Sequence, residues 1–296
     1  MGELVVVGSY NRDLVVRLRR FPRPGETVGG EALAQFHGGK GSNQAVQAAR
    51  CGAAVRMVAA LGADAAGEAA LALWAGEGIG TGAVRRHAGA PTGTAVILVQ
   101  EDGENEIVVV PGANALLAAA DAASACAGAA VVIAQLETPA AASLAAFRAA
   151  RAAGALTLLN ATPAAEVPEE LLALADLLLV NETEAALLVG AGAPMQQART
   201  LGARHARGAV VTAGAAGAFW GLPDGAVLAA APPRIAVRDT TGAGDACAGA
   251  LAAALAAGCS AEAALRRGVV AGALACTREG AVPSLPHMPE IAAAGG

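Results

Sequence analysis

Six short apolar runs punctuate the chain: LVVVG at 4–8, VRMVAALG at 55–62, AVVIAQLE at 130–137, ALTLLNAT at 155–162, LLLVNETE at 177–184 and GAVVTAG at 208–214. Each gives way to a stretch rich in alanine and leucine. Runs of strand length alternating with helical stretches specify βα units, and a strand without polar alternation must be covered on both faces. The pattern predicts a mostly parallel sheet between helical layers. With 296 residues, 55% of them hydrophobic, the chain can bury one large α/β core. Ligands of open α/β sheets bind beyond the carboxyl ends of the strands, and polar residues stand where the runs stop: Asn11, Glu137, Asn160, Asn181 and Thr212.

Two segments break this rhythm. Residues 13–36 and 92–110 alternate apolar and polar side chains around the turn signals PRPG and EDGEN, the pattern of antiparallel hairpins with one covered face. Both interrupt the α/β series, so they are expected to meet as a small sheet over the strand ends. That divides the chain into an α/β domain (1–12, 37–91 and 111–296) and a β-sheet lid (13–36 and 92–110). Such a lid can close on a substrate or pair with a second subunit. The alanine-rich tail 251–275 reads as two helices parted near GCSAEA, with Ser260 capping the second.

Several function classes are disfavoured. A net charge of −5, no basic block and seven aromatic residues leave little to hold a nucleic acid. Cys51, Cys126, Cys247, Cys259 and Cys276 show no metal-ligand spacing with the four histidines and suit a reducing compartment. The opening MGELVVVGSYNRD lacks a basic n-region, and no stretch has the length and purity of a membrane span. The expectation is a soluble cytoplasmic protein.

Chemistry concentrates in glycine-rich stretches. In HGGKGSNQAVQAAR, 37–50, paired glycines, Lys40 and a following helix let backbone approach a polar ligand closely; Gly41 after Lys40 excludes a Walker A loop. In GSYNRDLV, Asn11 and Asp13 point to the same side of an extended segment and suit adjacent hydroxyls, although turn-forming residues have the same composition. In NETE, Asn181 and Glu184 share a face at a helix start, where the carboxylate can order Mg²⁺ through water or simply close a cap. VTAGAAGAFW offers a small-residue turn for a nucleotide. In DTTGAGDACAGAL, 239–251, Asp245 follows Gly242, Ala243 and Gly244 at a helix mouth; it can cap the helix, or accept a proton beside a phosphate held there.

The order GSxNxD, GGKGxNQA, QLE, NxxE, VTxGxxG and DTTGAGD resembles the ribokinase branch of the PfkB carbohydrate kinase family over almost the whole chain. The resemblance implies a three-layer α/β/α sandwich with a mostly parallel central sheet and a small β-sheet lid, and a homodimer through that lid. It implies ATP-dependent phosphorylation of D-ribose at the 5-hydroxyl; kinases for deoxyribose, fructose or a nucleoside share the pattern, and a non-catalytic sugar-binding regulator is the remaining alternative. Sugar contacts are implied at Asn11, Asp13, Gly38, Gly39, Lys40, Gly41, Asn43, Glu137 and Asp245. Nucleotide contacts are implied at Asn181, Thr212, Ala213, Gly214, Ala215, Ala216, Gly217 and Gly244. Gly242, Ala243 and Gly244 would form the anion hole, with Asp245 as catalytic base. Glu184 would hold Mg²⁺ through water, and Asp239, Thr241, Ala275, Arg278, Gly280 and Ser284 an activating K⁺. Val269 stands where relatives place a polar residue near adenine, so an apolar adenine site is expected.

Overall fold

Successive side chains of a strand face opposite ways, and the core divides along that rule. Leu4, Val6, Val131 and Ile133 lie in one buried cluster, while Val5, Val7, Val132 and Ala134 lie in another. The first cluster includes residues of the helices Lys40–Arg50, Ala243–Ala256 and Ala261–Ala275; the second includes residues of Ala140–Ala152 and Pro194–Gly202. The sheet between them is therefore apolar on both faces, as its continuous runs require. The computed structural model that shows this describes residues 2–164 and 167–296.

In chain order the strands are β1 (Glu3–Val7), β2 (Asn11–Arg17), β3 (Ala32–Gly38), β4 (Val55–Gly62), β5 (Gly80–His87), β6 (Thr94–Val99) and β7 (Asn105–Val110). They continue as β8 (Ala129–Ala134), β9 (Leu156–Asn160), β10 (Leu177–Asn181), β11 (Gly208–Thr212), β12 (Ala218–Gly221) and β13 (Val227–Ala230). Nine of them form the large sheet in the order β13-β12-β11-β10-β9-β8-β1-β4-β5. It is parallel except where β12 pairs with β11 and β13. All six apolar runs supply strands of this sheet.

The remaining four strands form a separate sheet in the order β3-β2-β6-β7. Each expected hairpin is present, β2 against β3 and β6 against β7, and the two join through a parallel β2–β6 pair. Register places Phe36, Asp13, Ala95 and Val109 in one row, so the face that carries Asp13 continues to the edge strand β7. The two tail helices are also present, with Ser260 Oγ accepting from the Ala263 amide at 3.2 Å. No helix among the described residues is long and apolar enough to cross a membrane.

Candidate active site

The first site loop runs from β3 into the helix Lys40–Arg50. Gly39 makes the junction at φ +87°, a region that L side chains avoid, and a Cβ there would lie 2.7 Å from the backbone of Tyr10 and Asn11. That close approach lays the helix start against the beginning of β2. Asn11 and Asp13 are both buried on β2. Asn114 fixes the first of them: its amide donates to Asn11 Oδ1 at 2.9 Å and to the Tyr10 carbonyl at 2.9 Å, while its own Oδ1 accepts from the Tyr10 amide. Glu137, just beyond β8, closes the other side. Its Oε2 accepts from Ser9 Oγ at 2.5 Å and from the Lys40 amide at 3.0 Å, and Ser9 Oγ accepts in turn from the Gly41 amide at 3.4 Å.

Charge in this pocket is crowded. Burial, with Glu137 and Asp245 nearby, pushes the Asp13 carboxyl up to about 7. Lys40 is the only lysine of the chain. Burial alone would lower its ammonium, yet Asp245, Glu137 and Glu184 together raise it above its ordinary value, so it is the countercharge of the site.

Asp245 decides between the two readings of DTTGAGD. It lies in the first turn of the helix Ala243–Ala256, yet no side chain caps that helix. Its Oδ2 instead accepts from Asn43 Nδ2 and its Oδ1 from Gln44 Nε2, both at 2.9 Å. Burial raises this carboxyl above the usual range, while Lys40 and the two amides pull it down. Asn43 Oδ1 is buried without a partner, an acceptor left for a ligand hydroxyl.

The same helix start opens onto a second space. Gly242 stands before the helix in the left-handed region, φ +79°, and the backbone amides of Gly244 and Asp245 donate no hydrogen bond among the described residues. A Cβ on Gly244 would meet nothing within 4 Å. Ala243 and Gly244 line a cavity of about 630 Å³ together with Thr212, Gly214, Ala215 and Gly217. Unpaired amides at a positive helix end form an anion site. Beyond it the cavity wall is mostly apolar, with Pro232, Pro233, Ile235, Val237, Val269 and Ala273, and Arg234 adds a charged side chain to it. Val269 lines this cavity, whereas the wall from Pro232 to Val237 carries no motif.

Ala213 and Ala216 belong to the same turn as Thr212 and Gly217 without lining the cavity. Asn181 does not line it either, but pairs in register with Thr212 across β10 and β11. Its Oδ1 accepts from the Glu184 amide at 2.8 Å and Glu184 Oε2 accepts from its amide at 2.9 Å, a closed capping box. Glu184 keeps its second carboxylate oxygen outside this exchange. No group of three or more His, Cys, Asp or Glu gathers among the described residues, so a cation here must share phosphate and water ligands, which Mg²⁺ tolerates. The residues fit such an ion.

Asp239 ties the two segments of the expected monovalent-cation site. Its Oδ1 accepts from the Thr241 amide at 2.9 Å and its Oδ2 from the Gly280 amide at 2.8 Å. The carbonyls of Thr241, Arg278 and Gly280 accept no hydrogen bond among the described residues, which suits a carbonyl-ligated cation such as K⁺. The Ala275 carbonyl takes only a long bond, 3.4 Å, from the Arg278 amide, and Ser284 Oγ donates to the Ala281 carbonyl.

Ser9, Gln44 and Gln135 stood in the sequence only as letters of GSxNxD, GGKGxNQA and QLE with no role given to them, Asn114 carried no signal, and Asn160 stood out only as a polar strand end. Gln44 follows Asn43 directly, but neighbours on a helix diverge by about 100°, so nothing in the spacing said that both face Asp245.

Known proteins resemble this chain over nearly its whole length. The model of the pfkB family carbohydrate kinases matches residues 1–288. Haemophilus influenzae ribokinase is 36% identical over 300 residues, covering 97% of this chain and 96% of that one. The bifunctional ribokinase/ribose-5-phosphate isomerase A of Fructilactobacillus sanfranciscensis is 38% identical over 85% of this chain, which spans 48% of that protein's length. The structure of Arabidopsis thaliana ribokinase complexed with ribose and ATP superposes with a TM-score of 0.91 at 31% identity, covering 99% of this chain and 98% of that one.

Proposed function

Because the chain belongs to the pfkB family of carbohydrate kinases, we propose that its phosphorylation of ribose falls on the 5-hydroxyl, with Asp245 as the catalytic base. The overall activity is ATP-dependent phosphorylation of ribose. The carrying observation is that consecutive residues of one helix serve two spaces: Ala243 and Gly244 line the nucleotide-sized cavity, and Asp245 bonds Asn43 of the sugar loop. Support for the 5-position comes from the relative that joins its kinase to a ribose-5-phosphate isomerase, an activity that would consume this product.

In this reading Asn11, Asp13, Asn43 and Glu137 hold the sugar hydroxyls, the Gly38–Gly41 backbone closes over the ring, and Asp245 takes the proton of the attacking hydroxyl. The new bond joins that oxygen to the γ-phosphorus as the bridging bond to ADP breaks. The amides of Gly242 and Gly244 stabilise charge on the moving group, that of Ala243 being taken by the Thr240 carbonyl at 3.2 Å, and Thr212–Gly217 with the mostly apolar wall holds the nucleotide. Mg²⁺ through Glu184 would neutralise phosphate charge, and K⁺ on the Asp239 and Gly280 segments would keep the Gly242 turn in shape. Five free cysteines suit a cytoplasmic setting.

A coupled ADP-release assay with Mg²⁺ across pentoses, hexoses and nucleosides, with and without K⁺, tests the acceptor assignment. Ribose is expected to give the highest kcat/KM, with stimulation by K⁺. A higher value for a nucleoside or a hexose would overturn the acceptor.

A further inference from the structure

Asp245 is held on one side by a line of buried amides to which the reading of the glycine-rich motifs gives no role. Gln44 Nε2 donates to Asp245 Oδ1 at 2.9 Å and to Asn160 Oδ1 at 2.8 Å. Gln44 Oε1 accepts from Gln135 Nε2 at 2.5 Å. Asn160 Nδ2 donates to Thr162 Oγ1 at 3.0 Å and to the Leu179 carbonyl of β10 at 3.2 Å. Gln44, Gln135 and Asn160 are all buried, and they come from the helix Lys40–Arg50, the end of β8 and the end of β9.

We propose that Gln44, oriented by Asn160 and Gln135, is the positioning residue that presents Asp245 to the acceptor hydroxyl, an inference that rests on the kinase reading above. The orientation starts from a group that cannot turn over. The Leu179 carbonyl can only accept, so Asn160 must show it an amide nitrogen and turn its oxygen toward Gln44. That oxygen and Asp245 Oδ1 together require the nitrogen of Gln44 between them. A flipped Gln44 would set its own oxygen against two acceptors, one of them charged. Gln135 alone would permit the flip, because its Oε1 is buried without a partner and could meet a reversed amide. The backbone carbonyl and the carboxylate forbid it.

The consequence is a carboxylate with one rotamer. With Oδ1 fixed by Gln44 and Oδ2 by Asn43, Asp245 cannot rotate toward the cavity or fold back onto its own helix. The remaining lone pairs are left for the acceptor hydroxyl, as general-base catalysis needs. The charged groups that face Asp245 are Lys40 on the same helix as Gln44, Glu137 beyond β8 and Asp13 on β2. None of them bonds Gln44, so its substitution reads the amide contribution by itself.

Gln44→Met keeps the length of the side chain and removes the donor. Its kcat with ribose is expected to fall about 10- to 100-fold, the effect of losing a hydrogen bond to a buried charge, with the KM for ATP within about threefold of wild type. The amide favours the ionised base, so without it the acidic limb of kcat/KM should move to higher pH. In an Asp245→Asn background the same substitution should cost no further turnover, because Gln44 acts through Asp245. Asn160→Ser removes the anchor, keeps the Gln44 amide and should move the same limb in the same direction by less; it serves if Gln44→Met does not fold. An unmoved acidic limb with wild-type kcat, or an equal loss in both backgrounds, would overturn the proposal. A wild-type protein that releases no ADP with ribose would instead overturn the kinase reading itself.

Discussion

Asp245→Asn is expected to lower kcat with ribose by about 10²- to 10⁴-fold, the usual contribution of a positioned general base, while the affinities for ribose and ATP stay within a few-fold. The site can absorb the new amide. The oxygen that the substituted side chain retains would still accept from Gln44 or Asn43, and Asn43, whose Oδ1 is buried without a partner, can turn that oxygen to the new N–H. Geometry therefore survives and proton acceptance does not. The cavity proposed to hold the nucleotide loses nothing, because it is lined by Ala243 and Gly244 rather than by Asp245. Isothermal titration of ribose and ATP beside steady-state ADP release separates the two effects. Near-normal turnover would remove Asp245 from the mechanism, and loss of binding in proportion to turnover would make it a structural residue.

The second large effect concerns the lid. We propose that two copies of the chain associate through it, because its edge strand β7 is exposed along its whole length. Ile107, Val108, Val109 and Val110 are 47–63% exposed, and Leu33 on the opposite edge is 65% exposed. Alternation puts Ile107 and Val109 on the Asp13 face and Val108 and Val110 on the other. An unpaired apolar edge is a template for another chain, and a second copy offers the same apolar surface in return. The wild-type protein should sediment at about twice the chain mass at micromolar concentration. Ile107→Arg with Val108→Arg places one charge on each face of the edge and should return it to a single chain. Wild-type protein that sediments as one chain, or a double variant that still dimerises, would contradict the lid interface.

Within the large sheet, the strands that were legible are those buried on both sides, while the lid hairpins were legible from their alternation. Each of the six apolar runs lies inside the large sheet, where only Arg56 near the start of β4 and the buried Thr157 of β9 interrupt the apolar pattern within a strand. The strands that were not legible sit at its margins. β5 carries Arg85 and Arg86 at one edge, and β12 and β13 are four residues each, so neither gives a continuous run. In the site, glycine-rich segments announced themselves through their own local geometry, and the acid they framed bonds Asn43 and Gln44 of the helix Lys40–Arg50 rather than capping its own helix. Nothing local said that the amides of Gln44, Gln135 and Asn160 meet around Asp245. Gln44 lies 201 residues from it, and only the neighbouring order of β8, β9 and β10 brings Gln135, Asn160 and the Leu179 carbonyl to one place. The nucleotide wall was silent for another reason. Pro232–Val237 runs between β13 and the helix Ala243–Ala256 without regular structure, so its apolar residues have no period to read.

The central claim is that one site carries the phosphoryl group of ATP to the 5-hydroxyl of ribose. NMR of the product formed from ATP and ¹³C-labelled ribose tests it most directly. The account predicts one phosphate ester, coupled to carbon 5, for each ADP released. An ester on another carbon, or ADP appearing with free phosphate and unmodified ribose, would contradict it.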